Sequence, residues 1–413
     1  VSKKKKIIEL YHTPSSMTPF FPEKDEHLLR EKALNLVRAT SRLEAILHPI
    51  TRKAIASLIE PMNSYYSNLI EGHYTHPLDI EKALKKNYSR DPEKRALQLE
   101  NEAHVKVHRF IKEQISNGYK DICSEEFLCK IHGLFYKDLP EEFTRVKNLD
   151  GKFIKIIPGA IRDTEVQVGK HIAPAATSVK SFISVFEENY KNKTTTDPLK
   201  LIIAMAASHH RLAWIHPFTD GNGRVVRLFS EAFSILLGID GNGLWSISRG
   251  LAVHKDGYYA ALANADLQRW NDYDGRGNLS DKFLSEFCHF FIDVAIDQVN
   301  FMLSLLELDT LNERVEKFVE LMASRNELKK ESVYILLEAL NRGKISRGEM
   351  MRLTGKSENV ARSIMNDLLE KELLVSENDG LRSAVLVHFP VRYTPYLFPK
   401  LYPENIESSL LKK

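Results

Sequence analysis

The segment His216-Pro217-Phe218-Thr219-Asp220-Gly221-Asn222-Gly223-Arg224-Val225-Val226-Arg227 constrains this chain more than any other. It lies between two strongly apolar helical patterns. The first opens at Asp197-Pro198, an N-cap followed by a first-turn proline, and runs to about Trp214. The second runs from Arg224 to Leu237, with Gly238 just past its end. Gly221 and Gly223 permit backbone conformations that a side chain would block. Successive amides there can form a concave nest for phosphate oxygens, and the helix that follows adds positive potential. Arg224 and Arg227 sit three apart on neighbouring parts of one helical face. Two guanidinium groups at a helix N-terminus oppose its dipole, a placement that makes sense if a polyphosphate supplies negative charge. Asp220 fits a magnesium ligand, because Mg²⁺ takes one or two carboxylates and completes its shell with phosphates and water. His216, with an ordinary pKa of about 6.5, suits removal of a proton from a hydroxyl. A tight helix–helix turn with two surface arginines would account for a bare Gly-x-Gly, but not for the whole set.

Periodicity places helices on both sides of this centre. Residues 24–47 read as a long helix with Leu29, Leu36, Leu43, Ile46 and Leu47 on related faces, and His48-Pro49 marks a break. Pro61 is expected to open a third helix, in which Met62, Tyr65, Tyr66, Leu69 and Ile70 form an apolar stripe. Ser64, Ser67, Asn68 and Glu71 lie opposite that stripe, and Gly72 is the expected stop. Further helices reach about Gln114, closed by Asn117-Gly118. Residues 153–172 alternate instead: Ile154, Ile156, Val166 and Val168 are interleaved with polar residues around Pro158-Gly159, the pattern of a short β-hairpin. Helices resume near Ser178 and again after Ser280. A long helix over 300–325 leads to residues 331–413, a block expected to be compact on its own. Its order is helix (332–340), helix (346–353), Gly355, helix (357–371), then a β-prone stretch (381–389), which is the winged-helix order.

Bulk properties narrow the class. A length of 413 residues with 43% hydrophobic content is enough for two or three packed domains. A net charge of +3 suggests neither a nucleic-acid coat nor a membrane-surface protein. Cys123, Cys129 and Cys288 contain no CxxC pair, which argues against a disulfide framework or a cysteine zinc site and for a reducing, cytoplasmic compartment. Lys3-Lys4-Lys5-Lys6 is followed by no apolar stretch and reads as a solvated basic N-terminus. No run approaches the roughly 18 apolar residues of a membrane span, so no membrane partner is expected.

Without a gap, 216–227 resembles the Fic signature HxFx(D/E)GNGRxxR. The resemblance implies that His216 deprotonates a target hydroxyl and Asp220 holds magnesium. Gly221, Asn222, Gly223, Arg224, Val225, Val226 and Arg227 would surround the phosphates of ATP, with Phe218 as a buried anchor and His209 and His210 structural. Pro158 to Arg162 with Thr164 to Gly169 looks like the Fic flap, a hairpin that docks the target chain as an added strand. Gly159, Ile161, Arg162, Thr164, Val166 and Val168 are its candidate docking residues, and Pro174 fits the proline that follows it. Tyr258-Tyr259-Ala260-Ala261-Leu262 looks like the segment lining the nucleoside pocket, with Asn264 near the adenine edge. Core packing accounts for the two tyrosines equally well. The resemblance spans roughly residues 30–300.

A solvated surface position is the plain physical reading of Glu71. The family resemblance reverses it, since Ser67-x-x-x-Glu71-Gly72 matches the inhibitory (S/T)xxxE(G/N) motif of Fic proteins. It implies that Glu71 pairs with Arg227 and withholds it from the γ-phosphate, until the helix shifts through a change in oligomeric state. The expected architecture is therefore mainly α. A helical region (1–119) carries an inhibitory helix (about 61–72). A Fic helical core (120–300) carries the small β-hairpin flap (153–172), and a connecting helix (301–330) and a winged-helix domain (331–413) follow. The expected activity is transfer of AMP from ATP, with Mg²⁺, to a Ser, Thr or Tyr hydroxyl of a protein. Removal of AMP, and transfer of phosphate or UMP, are the alternatives within the fold. The partners expected are ATP, a target protein and a second copy of the chain. A winged-helix DNA-binding regulator is the rival of another class. Its groove helix would be 357–371, with Asn359 and Arg362 exposed and Lys356 on phosphate. Glu358, Asp367, Glu370 and Glu372 dilute the charge that DNA requires, which favours protein contact or dimer support.

Overall fold

The computed structural model describes residues 10–147, 151–191, 196–380 and 382–411. Lys3 to Lys6 and Leu381 lie outside them. The N-terminal part is helical: α1 (Glu26–Ala45), α2 (Pro49–Ile70), α3 (Pro77–Leu84), α4 (Pro92–Ser116) and α5 (Glu125–Tyr136). Local chemistry fixes the starts. His48, Asp91 and Ser124 each accept a backbone N–H of the first turn, and prolines occupy the first positions of α2, α3 and α4. The expected break at Pro61 does not occur. Pro61 lies buried within the 22-residue α2. Its ring removes one backbone hydrogen bond, and packing of α2 between α4 and α9 (Ile247–Val253) keeps the helix continuous.

The single expected hairpin is two. β1 (Arg145–Lys147) pairs antiparallel with β2 (Phe153–Lys155), and β3 (Gln167–Val168) pairs with β4 (His171–Ile172). The turn at Pro158-Gly159 separates them, with Gly159 at φ +79° and its backbone against Cys129. A side chain there would be strained and crowded, so only glycine turns the chain at this point. The core continues with α6 (Val179–Tyr190), α7 (Pro198–Ile215), α8 (Asn222–Leu236) and, after α9, α10 (Lys255–Ala265). Helix α7 is buried on every face from Leu201 to Leu212, its polar Ser208, His209, His210 and Arg211 included.

The helices expected after Ser280 and over 300–325 are α11 (Asp281–Leu306) and α12 (Leu308–Ser324), with the break at Glu307 (φ −55°, ψ 124°) and not near residue 300. By length and composition α11 could cross a membrane, contrary to the sequence expectation. In this fold it packs against α1, α7, α9 and α10, with Phe287, Cys288, Phe291, Ile292 and Ala295 buried.

The C-terminal part contains α13 (Ser332–Arg342), β5 (Lys344–Ile345), α14 (Met350–Thr354), α15 (Glu358–Glu370), β6 (Leu374–Ser376) and β7 (Val385–Val387), with sheet order β5-β7-β6. Helices α16 (Thr394–Leu397) and α17 (Glu404–Leu411) follow. This part does not stand apart. Thr51 of α2 donates to Leu340 O (2.6 Å), Tyr66 to Leu401 O (2.9 Å), and Arg249 of α9 to Lys400 O (2.7 Å).

Candidate active site

The end of α7 and the start of α8 meet in the motif loop. His216 caps α7 in the left-handed region (φ 52°, ψ 61°). Its Nδ1 lies 3.3 Å from Ala213 O, which makes Nδ1 the donor and leaves Nε2 as the basic nitrogen. Burial, with help from His171, pushes its pKa down to about 4. Arg162 holds this turn from behind, donating to His216 O (2.8 Å), Thr164 O (3.0 Å) and Pro174 O (2.6 Å). Arg162 is buried, so it anchors the loop and is not a surface for docking a target. His171 also braces the turn, its Nε2 lying 2.8 Å from Trp214 O.

Asn222 closes the loop. Its Oδ1 accepts from Phe218 N (2.9 Å) and its Nδ2 donates to Phe218 O (2.8 Å). Its side chain is thus spent on the loop, not on phosphate. Phe218 is buried, stacked on His132 with ring centroids 4.0 Å apart. Gly221 takes the left-handed conformation (φ 77°), and a Cβ there would strike the Tyr136 ring. The first helical bond of α8 is Val225 N to Gly221 O (3.0 Å). The amides of Asn222, Gly223 and Arg224 therefore precede the helical ladder, as an anion nest requires. Val225 has committed its N–H, and the side chains of Val225 and Val226 are buried in the core, so neither contributes a side chain to the nest.

Both motif arginines are buried, not on the surface, and each is paired with a glutamate. Arg227 donates to Ser67 Oγ (3.0 Å), Ser67 O (2.9 Å) and Glu71 Oε1 (2.5 Å). Glu71 caps the end of α2, and Gly72 follows at φ +87°. Its carboxylate lies against Gly223, where even a Cβ would collide with Oε1. Burial opposes ionisation of Glu71, but Arg227 and then Arg224 outweigh it and hold its carboxyl below the usual range. Ser64, Ser67 and Asn68 are wholly buried. The polar face of α2 is therefore turned into the catalytic core and not toward solvent.

Arg224 donates to Glu100, to Tyr136 Oη (3.0 Å) and to Asp220 Oδ2 (3.3 Å). Its Nε is buried with no hydrogen-bond partner, a donor left for an incoming anion. Tyr136 also donates to Asp220 Oδ2 (2.9 Å). The Asp220 side chain is 42% exposed. Among the described residues no three His, Cys, Asp or Glu side chains cluster. A single carboxylate with open surroundings is a hard oxygen ligand of the kind Mg²⁺, Mn²⁺ and Ca²⁺ take, and it leaves the rest of a metal's shell to phosphate and water. Glu100, Tyr136 and His132 belong to this centre, His73 lies outside it and is bonded to Glu100, and the sequence reading passed over all four. His132 accepts from Gly159 N (2.9 Å) and so carries its proton on Nε2, 3.3 Å from Asp220 O, which ties the flap turn to the acidic residue. A cavity of about 670 Å³ bordered by His73, Glu93, Phe143, Arg145, Asp220 and Arg224 opens beside the nest.

The expected nucleoside segment is divided. Tyr258 is buried, bonded to His209 Nε2 (2.8 Å), which in turn reaches Ser230 Oγ (2.7 Å). Tyr259 is 44% exposed and donates to Ile70 O (3.1 Å), and Asn264 is exposed. In the flap, Ile161, Thr164 and Val166 are half-buried, while Val168 is exposed.

Residues 122–234 match the model of the Fic/DOC family. The chain is 30% identical over 176 residues to the protein adenylyltransferase Fic of Nematostella vectensis, covering 42% of this chain and 37% of that protein. It is 34% identical over 102 residues to the protein of the same name from Culex quinquefasciatus, covering 25% of this chain and 20% of the relative. The chain thus aligns with less than two fifths of the length of either relative. The solved structure of Fic-1 (residues 134–508) from C. elegans superposes with a TM-score of 0.50 at 17% identity, over 67% of this chain and 72% of that one, a likeness of fold. Residues 122–234, with the ungapped motif inside them, are thus the part of this chain that is similar to the Fic/DOC family.

Proposed function

We propose that this chain is a protein adenylyltransferase that moves AMP from ATP to a Ser, Thr or Tyr hydroxyl of another protein, and that Glu71 restrains it. The observation that carries the reading is the joint placement of a basic His216 Nε2, a helix N-terminus with free amides, and two buried arginines around one loop. The β- and γ-phosphates fit the amides of Asn222 to Arg224 and the guanidinium groups of Arg224 and Arg227. Asp220 would hold Mg²⁺, whose charge offsets that of the phosphates. The target hydroxyl oxygen attacks the α-phosphorus, its proton passes to His216 Nε2, and the bond from the α-phosphorus to the bridging oxygen breaks to release pyrophosphate. Tyr259 and Asn264 are the proposed contacts of the nucleoside. Ile161, Thr164, Val166 and Val168 would line the approach of the target strand. With Glu71 on Arg227 and against Gly223, the γ-phosphate has no seat, so the α-phosphate is not aligned for attack.

The test is incubation of the Glu71→Gly chain with α-labelled and, separately, γ-labelled ATP and a protein acceptor. Label from the α position alone is the expected result. Label from the γ position would make the chain a phosphotransferase and overturn the reading. Loss in Glu71→Gly of an AMP-removing activity present in the unaltered chain would make Glu71 a water-positioning residue instead.

A further inference from the structure

Glu71 does not reach Arg227 by that contact alone. The chain leaves α2 through Gly72 and arrives at His73, whose Nδ1 donates to both carboxylate oxygens of Glu100 at 2.8 Å. Glu100 lies mid-way along α4, is wholly buried, and also accepts from Arg224. Arg227 pairs with Glu71, and two residues further along the chain His73 pairs with Glu100, which also pairs with Arg224. The two glutamates differ physically. Glu71 stands at a helix end beside a left-handed glycine and its side chain is 30% exposed. Glu100 is held inside a helix, and moving it would strand the buried charge of Arg224. Glu71 is therefore the carboxylate that can leave, and Glu100 the one that stays.

We propose that His73 and Glu100 are positioning residues of the brake: His73 pins the segment after Glu71 to the fixed carboxylate of Glu100, so that Glu71 leaves Arg227 only when this contact opens. The inference rests on the adenylyltransferase reading above and adds a proton to its regulation. His73 faces Glu100 of α4, Arg224 of α8 and Glu71 of its own segment, with the Phe143 ring edge-on at 5.3 Å. Glu93, Glu142, Arg145 and Asp220 border the adjoining cavity. The bond to Glu100 is the chief cause that raises the pKa of His73, against burial and Arg224. The charged contact is therefore complete at acidic pH and weakens as pH rises through that raised value, when His73 gives up its charge.

The experiment measures initial rates with α-labelled ATP between about pH 6 and pH 9. It compares the unaltered chain, Glu71→Gly, His73→Asn, His73→Arg and the double variant His73→Asn with Glu71→Gly. His73→Asn is expected to be about tenfold faster than the unaltered chain near neutral pH, since a charge-assisted contact is lost. In the Glu71→Gly background the same change should alter the rate less than about twofold, because there is no brake left to position. The unaltered chain should gain on Glu71→Gly as pH rises, and His73→Arg, with a fixed charge, should stay slow throughout. If His73→Asn is no faster while Glu71→Gly is fast, the inference is overturned and the adenylyltransferase reading stands. If His73→Asn slows both backgrounds equally, its role is merely structural and the inference is again overturned. An inactive Glu71→Gly chain overturns both.

Discussion

At the scale of single residues, the state of His216 decides what the site can do and when. Nδ1 is committed to Ala213 O, so the base is Nε2, and burial sets its pKa at about 4. A base works only when neutral, and lowering the pKa from about 6.5 extends the neutral form to more acidic solution. In the Glu71→Gly chain, the rate dependence on His216 should therefore stay flat from pH 7 to about pH 5 and fall only on approach to pH 4. An acid limb centred near pH 6.5 would contradict that lowering, and His216→Ala should abolish transfer while ATP still binds. Tyr136 offers a second check. Its hydroxyl joins Asp220 to Arg224 while its ring supports Gly221. Tyr136→Phe keeps the ring and should lower the rate of the Glu71→Gly chain about tenfold, the value of one lost hydrogen bond near a charge, with little change in Tm. An unchanged rate would show that Asp220 needs no such support. The motif residues were legible in the sequence because they are contiguous and each chemical type has one evident use there. Glu100, His132 and Tyr136 were not, since neither one carboxylate among the polar residues of α4 nor a polar residue inside the apolar α5 carries a local mark of the distant partner that satisfies it. Val225 and Val226 were read into the nest by adjacency, yet the first turn of α8 had already taken one of their amides and the core both side chains.

Secondary-structure elements bring Glu71 to the nest, and α2 is the one that matters. Its apolar stripe was readable from spacing, and so was the stop at Gly72. Its continuity through Pro61 was not, because the cost of a proline inside a helix is met by neighbours that sequence periodicity does not show. The flap region was read as one hairpin from its alternation. Period-two patterning cannot tell one long hairpin from two short ones, and the turn at Gly159, held by His132, divides them. Placement of the polar face of α2 against α8 gives the prediction at this scale. Glu71→Gly frees Arg227 and should raise AMP transfer at least tenfold, self-modification included. Glu71→Gly combined with Arg227→Ala should lose most of that gain, because both changes act on one contact. Initial rates for the four chains complete the cycle. Strict additivity of the two changes would show that Glu71 restrains the site by some route other than Arg227.

Over the whole molecule, buried polar contacts join parts that the sequence presents as separate. The C-terminal segment reaches back to α2 at Thr51 and Tyr66, so residues 331–413 share a packing surface with the helix that ends at Glu71. No periodicity within either segment announces that contact. A second joint lies between the N-terminal helices and the catalytic core. His108 of α4 stands between Glu60 of α2 (3.2 Å) and Glu231 of α8 (2.9 Å), and Asn63 of α2 also donates to Glu231. Burial alone would push the pKa of His108 down, but Glu231 and Glu60 outweigh it and raise it to about 10. The unfolded chain titrates this group near 6.5. The folded state therefore binds one more proton than the unfolded state between those values. The stability this contributes is fully present below about pH 6.5 and is lost as pH rises to about 10. Thermal unfolding of the unaltered chain and of His108→Gln, followed at intervals from about pH 6.5 to about pH 10, measures it. Glutamine can still donate one hydrogen bond but carries no charge. The variant should melt well below the unaltered chain at pH 6.5, and the two curves should converge as pH approaches 10. Parallel curves across that range would mean that His108 is neutral in the folded protein, and that hydrogen bonding without charge joins α2 and α4 to the catalytic core.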